Sequence, residues 1–222
     1  MNTTADFHHN CFYHIYNRTN NKESLFKSQE NYSYFLRRYK HYLSPYLDIH
    51  AYALLTNHFH FSIRIKSEKE ITTHIENAPT RRRSETESRY LNNNAKENLI
   101  NELIVHQHQR FFISYAQAFN KMYNRKGNLF ARQFKRSQFD PEEKFKYLQY
   151  YIHHNARKHR FVKHFLDDQN HSYKSIFTLN DSFLDVSYVL QEFISLERVI
   201  AFHEQVYSMK EFYGLEIEED GF

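Results

Sequence analysis

The sequence predicts an α+β fold: a four-stranded antiparallel sheet with helices packed on one face, followed by a helical C-terminal extension. Segments rich in β-forming residues alternate with segments that carry an apolar residue every three or four positions, in the order βαββαβα. The 222 residues are 41% hydrophobic, which is enough to bury the core of one domain with elaborations.

The first strand and helix follow directly from the local pattern. Residues 11–17, CFYHIYN, are rich in β-formers and end at the polar, turn-prone run RTNNKES. From Ser28 to about Tyr46, apolar residues recur at helical spacing, and Pro45 marks the end of this amphipathic helix.

Two further strands come next, over residues 49–55 and 59–65. Thr56 and Asn57 form a tight hairpin connection or a bulge between them. Residues 66–98 differ in composition from the segments before them, because they contain RRR, NNN and few large apolar residues. We expect an inserted or mobile loop here, with a short helix possible around residues 68–75.

The second half repeats the alternation. A long helix begins near Leu99 and ends before Gly127, and residues 129–139, LFARQFKRSQF, predict a fourth strand. Asp140 is then the N-cap of another helix, with Pro141 in its first turn and Glu143 completing a capping box.

The last part of the chain predicts an extension. Residues 173–213 contain two or three amphipathic segments, and the final GLEIEEDGF predicts a frayed acidic tail. We therefore divide the chain into a main domain, 7–162, with a polar insertion at 66–98, and a C-terminal extension, 163–222. The order of elements in the first part is similar to ferredoxin-like and RRM-like layouts, which leave one sheet face available.

Composition narrows the class of protein. Cys11 is the only cysteine, so an intrachain disulfide and a cysteine-based zinc site are both excluded. The first residues lack the features of a signal peptide and no run is long enough to span a membrane, so we expect a soluble cytoplasmic protein. The net charge of +4, with 30 Lys and Arg and 39 Tyr and Phe, is compatible with nucleic-acid binding.

The third predicted strand carries two histidines on one face. In NHFHFSIRI, His58 and His60 alternate with apolar residues, so both imidazoles project from the same side. Composition alone predicts about one His-x-His triplet in this chain, and a solvated polar face is the competing interpretation. A second triplet, His106 and His108, lies in a predicted helix, where neighbours two apart diverge.

Tyr151 and Asn155 are four residues apart on the capped helix and share a face. If that face covers the polar side of the third strand, the Asn155 amide oxygen can join His58 and His60 as a third metal ligand. Nitrogen and oxygen ligands without thiolate suit Mg²⁺ or Mn²⁺, although two imidazoles also bind Zn²⁺ or Ni²⁺. A neighbouring cation would favour the phenolate of Tyr151, whose ordinary pKa of about 10 makes it a poor nucleophile.

Four stretches carry a family resemblance: TNHFHFSIRI, the later YYIHHNARKHRF, and the flanking YHIYNRTNNKESLF and GNLFARQFKRS. Together they resemble the HUH-type single-tyrosine transposases, most closely the branch of REP-associated tyrosine transposases. The resemblance covers about residues 7–162 without the insertion. Ala156 stands where that family usually has proline, and we expect the helix to continue through Ala156 and Arg157.

The resemblance implies a role for each matching residue. Tyr151 would be the catalytic nucleophile, and His58, His60 and Asn155 would bind the divalent metal. The substrate would be single-stranded DNA containing a hairpin, cleaved and rejoined through a 5′-phosphotyrosine link. Related transposases place the tyrosine helix against their own metal site or a partner's, so a monomer and a homodimer are both compatible.

Other residues compete for these roles. Tyr147 and Tyr150 lie close to Tyr151, although spacing to Asn155 favours Tyr151. We expect His153 and His154 to lie on the surface or face DNA, and His14 to be an ordinary histidine of the polar face. The basic residues that flank the tyrosine helix form a candidate DNA clamp: Arg125, Lys126, Arg132, Lys135 and Arg136.

Two functions of different classes remain. One is a transposase that nicks and rejoins single-stranded DNA. The other is a non-catalytic or domesticated nucleic-acid-binding protein of the same fold. The presence of His58, His60, Tyr151 and Asn155 together favours the enzyme.

Overall fold

The computed structural model describes residues 4–131, 133–178, 183–208 and 210–215, except for the side chain of Lys22. At its centre is a four-stranded antiparallel sheet in the order β2-β3-β1-β4. The strands are β1 (Phe12–Arg18), β2 (Leu47–Leu54), β3 (His58–Ile65) and β4 (Lys135–Phe139). This strand order with βαββαβ connectivity is ferredoxin-like, so the predicted α+β class is confirmed.

The helices of the described residues follow the predicted positions in most of the chain. They are α1 (Gln29–Leu43), α2 (Glu68–Asn77), α3 (Glu85–Asn92), α4 (Ile100–Met122), α5 (Pro141–His153), α6 (Asn155–Lys158), α7 (Val186–Phe193) and α8 (Leu196–Glu204). None of them is both long enough and apolar enough to cross a membrane.

Helices α1 and α4 cover the apolar face of the sheet. Phe59 and Phe61 project from β3 on this face because strand side chains alternate. The Tyr39 ring of α1 stacks on Phe61 with centroids 4.0 Å apart, and Phe35 meets Phe111 of α4 edge to face at 4.9 Å. These rings are buried, and burying each one contributes about 1.5–3 kcal/mol to stability.

The opposite face of the sheet is covered as well, which corrects the prediction that helices pack on one face only. Helix α5 lies across β2 and β3 there. His14, His60 and Ser62, which project from this polar face, are completely buried. The competing interpretation of the alternation is a solvated face, but these polar side chains contact α5 and not water.

The polar insertion is structured, so the expectation of a loop there is wrong apart from the short helix that it allowed. Helices α2 and α3 bury Ile71, Ile75 and Tyr90 against the rest of the molecule. Both helices begin with a reciprocal capping box, Ser67 with Glu70 and Ser84 with Glu87.

The fourth strand is shorter than predicted. Among its described residues, 135–139 form the ladder with β1. Before them the Ala131 N–H donates to the Arg18 carbonyl at 2.9 Å, and Phe130 forms a single bridge to Thr19. Phe130 and Phe134 instead pack against Phe112 of α4, with centroids 4.8 and 5.6 Å away. Both rings are buried and belong to the contact with α4.

The tyrosine helix begins as predicted at Asp140, whose carboxylate accepts a hydrogen bond from the Glu142 N–H at 3.0 Å. The predicted reciprocal contact with Glu143 is not among the hydrogen bonds of the described residues. The helix kinks at His154 and resumes as α6, so continuation through Ala156 and Arg157 is confirmed. Proline at 156 is not needed for this path.

The C-terminal extension is helical, as predicted, and it also touches the sheet. Residues 170–172 hydrogen-bond to the edge of β2, and α7 packs on α5 and β2. Of the predicted acidic tail, residues 214–222, Gly214 and Leu215 are described, with Leu215 buried, and the rest lies outside the described residues.

Candidate active site

The polar face of β3 brings together the two histidines predicted from the sequence. The rings of His58 and His60 lie with centroids 5.2 Å apart and planes at 90°. Both side chains are buried. They therefore border one volume between β3 and the tyrosine helix, and the competing interpretation of a solvated polar face is wrong.

His60 is oriented by a neighbouring strand. Its Nδ1 lies 3.0 Å from Nε2 of His14 on β1, which stacks nearly parallel to it. Its Nε2 is buried with no hydrogen-bond partner among the described residues. If the proton sits on Nδ1 and is donated to His14, then Nε2 carries a buried lone pair.

His58 faces two amide oxygens. Its Nδ1 lies 2.7 Å from Oδ1 of Asn57, and its Nε2 lies 3.3 Å from Oδ1 of Asn155. A neutral imidazole has only one N–H, which the shorter contact assigns to Nδ1. The lone pair of Nε2 then faces the lone pairs of the Asn155 oxygen, an arrangement that a cation between the two atoms stabilises.

Burial keeps both imidazoles neutral. It lowers the pKa of His58 to about 4, with a further contribution from nearby His159. Burial, with the neighbouring His14 and His58, holds the pKa of His60 well below its ordinary value. Neutral rings at pH 7 are the form that binds a metal ion.

Tyr151 extends from α5 into this cluster. Its ring meets His60 at 5.6 Å and His14 at 5.8 Å between centroids, both nearly perpendicular, and is 4% exposed. The ammonium of Lys158 lies 5.2 Å from the centre of the same ring. Spacing of four residues thus places Tyr151 and Asn155 on the face that covers β3, as predicted.

The two competing tyrosines face elsewhere. The Tyr150 ring stacks on His154 with centroids 3.9 Å apart, and its hydroxyl donates to the Gln205 carbonyl at 3.1 Å. Tyr147 packs against Phe202 and Tyr207. Both belong to the contact between α5 and the C-terminal extension.

The donor set fits a divalent cation by its own chemistry. The described residues contain no group of three or more His, Cys, Asp or Glu side chains placed to hold a metal ion. The predicted set has only two such side chains, and its third member is an amide. Within the part of the chain that the structure describes, Nε2 of His60 has no hydrogen-bond partner, and a cation bound to it would lie beside the contact between His58 and Asn155.

Three other histidines differ from expectation. His153 and His154 were predicted on the surface or facing DNA, but both are buried beneath the C-terminal extension. His153 bridges His203 at 2.9 Å and the Ser172 hydroxyl at 2.8 Å. His14 was predicted as an ordinary polar-face histidine, but it contacts both His60 and Tyr151.

The predicted basic clamp is dispersed. Arg125 pairs with Glu23 at 2.5 Å, and Arg136 donates to the Ala5 carbonyl at 2.6 Å on the α4 side of the sheet. Lys126 is exposed, and Arg132 lies outside the described residues. Lys135 is on the same sheet face as the site, where its ammonium lies 5.6 Å from the Tyr16 ring.

Sequence reasoning missed two residues that border the site. Lys158 reaches the Tyr151 ring, and the His159 ring lies 5.0 Å from that of His58. Both follow Tyr151 by seven or eight residues, which would be about two turns of a continuous helix. That spacing could have identified them.

The chain matches no family model and no curated protein. Among solved structures it is similar to one titled "Structure of the REP associates tyrosine transposase bound to a REP hairpin". The TM-score is 0.47 with 12% sequence identity, over 82% of this chain and 86% of that chain.

Proposed function

We propose that this protein is a metal-dependent single-stranded DNA strand transferase of the transposase type. The Tyr151 oxygen attacks a phosphodiester, forming a 5′-phosphotyrosine link and releasing a 3′-hydroxyl. Attack by that or another 3′-hydroxyl reverses the step without a nucleotide cofactor. The observation that carries the proposal is the packing of Tyr151 against His60 and His14, beside the 3.3 Å contact between His58 Nε2 and Asn155 Oδ1.

Each residue of the cluster has a distinct task. His58 Nε2, His60 Nε2 and Asn155 Oδ1 would hold Mg²⁺ or Mn²⁺, which withdraws charge from the phosphate and favours the phenolate. Asn57 fixes the ring of His58 through Nδ1, and His14 does the same for His60. The Lys158 ammonium beside the Tyr151 ring also favours a negative charge on that side chain.

The proposed substrate class comes from the resemblance described above and from the chemistry of the cluster. An imidazole and amide set with one tyrosine suits transfer of a phosphodiester, since the tyrosyl phosphodiester retains the energy of the broken bond. A DNA hairpin supplies both a paired stem and unpaired bases for recognition.

A covalent-adduct assay tests the proposal. Labelled hairpin oligonucleotides are incubated with the protein and Mg²⁺ or Mn²⁺, and a denaturing gel reports the protein–DNA adduct. Tyr151→Phe should abolish the adduct, whereas the matched Tyr150→Phe and Tyr147→Phe should retain it, because those rings face the extension. Equal adduct from Tyr151→Phe and the wild type would refute the assignment.

The metal ligands have their own prediction. His58→Ala should abolish cleavage while most of the salt-sensitive DNA binding remains, because phosphate contacts dominate affinity. Loss of cleavage, binding and fold together would instead identify a structural role for His58. Circular dichroism and binding titrations distinguish these outcomes.

A second candidate is a DNA-binding protein of the same fold that does not turn over. The observation that favours it is the 4% exposure of Tyr151, since a phosphodiester must reach the tyrosine oxygen. Hairpin binding without any adduct, across a range of Mg²⁺ and Mn²⁺ concentrations, would establish this alternative.

A further inference from the structure

The segment immediately after the candidate ligand Asn155 is a strongly basic one. Residues 156–164, ARKHRFVKH, contain four Lys or Arg and two His and no Asp or Glu. We call this segment the basic turn. None of its residues belongs to the clamp predicted from the sequence, so the basic turn is an independent candidate for DNA contact.

The basic turn is continuous with the candidate site. Lys158 contacts the Tyr151 ring and His159 contacts the His58 ring. Two residues later, Phe161 can lie at most about 7 Å from His159 along the chain, the length of about two stacked nucleotides. A strand that passes His159 at the site therefore needs only about two nucleotides to reach Phe161.

The remaining cations of the basic turn are available to a ligand. Arg157, Arg160 and Lys163 are exposed and form no ion pair within the part of the chain that the structure describes. Arg125 of the predicted clamp, by contrast, is paired with Glu23. No ion pair of the described residues therefore has to break when these three cations bind a phosphate.

The Phe161 side chain is exposed and follows a constrained backbone turn. It is 55% exposed, although 20 other phenylalanines in this chain compete for the core. Its N–H donates to the Ala156 carbonyl at 2.9 Å and the Arg160 N–H donates to Arg157 at 3.0 Å, which is the Schellman pattern. Arg160 adopts φ 60°, a left-handed position that normally favours glycine.

We propose that the basic turn binds single-stranded DNA beside the scissile bond, with Arg157, Arg160 and Lys163 contacting phosphates and Phe161 stacking on one base. An exposed aromatic ring surrounded by cations can stack on any unpaired base. Bases within a duplex already stack on each other and are not available to the ring. The position of the scissile bond rests on the proposed function. The binding itself does not.

The test is a fluorescence anisotropy titration of a labelled, mixed-sequence single-stranded DNA 20-mer. Every protein is the full chain with Tyr151→Phe, so that binding is measured without cleavage. Phe161→Ala should weaken binding about tenfold without changing its salt dependence, and Phe161→Tyr should bind like the parent. Duplex DNA of the same sequence should show no dependence on Phe161.

Arg160→Gly separates binding from folding. It removes a cation and places glycine at the left-handed position, so the melting temperature should rise while DNA binding weakens. The slope of log affinity against log salt should fall by about 0.7, the value for one phosphate contact of a single strand. Ile113→Ala, at a residue that is 57% exposed on α4, and Arg81→Ala, at an exposed site in the insertion, are the matched controls and should change neither quantity.

Several results would overturn the inference. They are unchanged binding by Phe161→Ala, equal losses in the control variants, or Phe161-dependent binding to phosphatidylserine vesicles but not to single-stranded DNA. An adduct from the wild type together with Phe161-independent binding would leave the proposed function standing and remove this inference. Phe161-dependent binding without any adduct would support this inference and remove the proposed chemistry.

Discussion

Acid should begin to unfold this protein before its carboxylates are protonated, because many histidines are buried in the neutral form. Burial lowers the pKa of His50 and His154 to about 3 and of His108 and His203 to about 4. An unfolded histidine has a pKa of about 6.5. Below pH 6.5 the unfolded chain thus binds more protons, so stability falls as the pH falls towards the folded pKa values.

The size of the effect follows from these shifts. At pH 5 an unfolded histidine is almost fully protonated and a buried one hardly at all, which costs about 2 kcal/mol per ring. The four rings together cost about 8 kcal/mol, within the usual total stability of about 5–15 kcal/mol. We therefore expect unfolding to begin near pH 5.

Urea unfolding followed by circular dichroism from pH 7.5 to pH 5 measures this loss. His50→Phe is an internal check, because both ring nitrogens of His50 are buried without a hydrogen-bond partner among the described residues, and the ring lies between Phe12 and Phe145. The variant should be about 1–3 kcal/mol more stable at pH 7 and lose about 2 kcal/mol less on acidification. A free energy of unfolding that stays within about 1 kcal/mol from pH 7 to pH 5 would refute the reasoning.

Three further predictions concern single residues. Arg160→Gly should stabilise the protein by about 1 kcal/mol in thermal unfolding, because glycine adopts a positive φ without strain, and no gain would contradict the role of this turn. His14→Phe should weaken Mn²⁺ binding, measured by electron paramagnetic resonance, about 10- to 100-fold by removing the acceptor for His60 Nδ1, and unchanged affinity would exclude that support. Asp140→Ala should cost about 1 kcal/mol by removing the cap of the tyrosine helix, and a loss below about 0.3 kcal/mol in urea unfolding would mean that another group caps it.

Local patterns predicted the strands in which buried residues recur every two positions and the helices in which they recur every three or four. Strands β1, β2 and β3 and helices α1, α4 and α5 lie where alternation and apolar spacing placed them. Local patterns did not predict the structure of the polar insertion, because its helices bury few residues. The largest of these buried residues is Tyr90. The S-x-x-E sequences at residues 67–70 and 84–87 are capping-box signals that could have predicted the starts of both helices.

The candidate site was predictable only in part. Spacing placed His58 with His60 and Tyr151 with Asn155, but strand pairing decides that His14 lies next to His60. Pairing between β1 and β3 is a long-range choice that the local sequence does not specify. The burial of His153 and His154 likewise depends on the extension, whose contacts with α5 leave no periodic signal.

Intact-protein mass spectrometry after incubation with a hairpin oligonucleotide and Mn²⁺ detects a covalent link between Tyr151 and DNA. We expect a mass increase equal to the 3′ fragment of the DNA, attached at Tyr151 and located by peptide mapping. We expect no increase for Tyr151→Phe. A DNA adduct mapped to another tyrosine, or no adduct from the wild type under conditions in which it binds the hairpin, would contradict the proposed role of Tyr151.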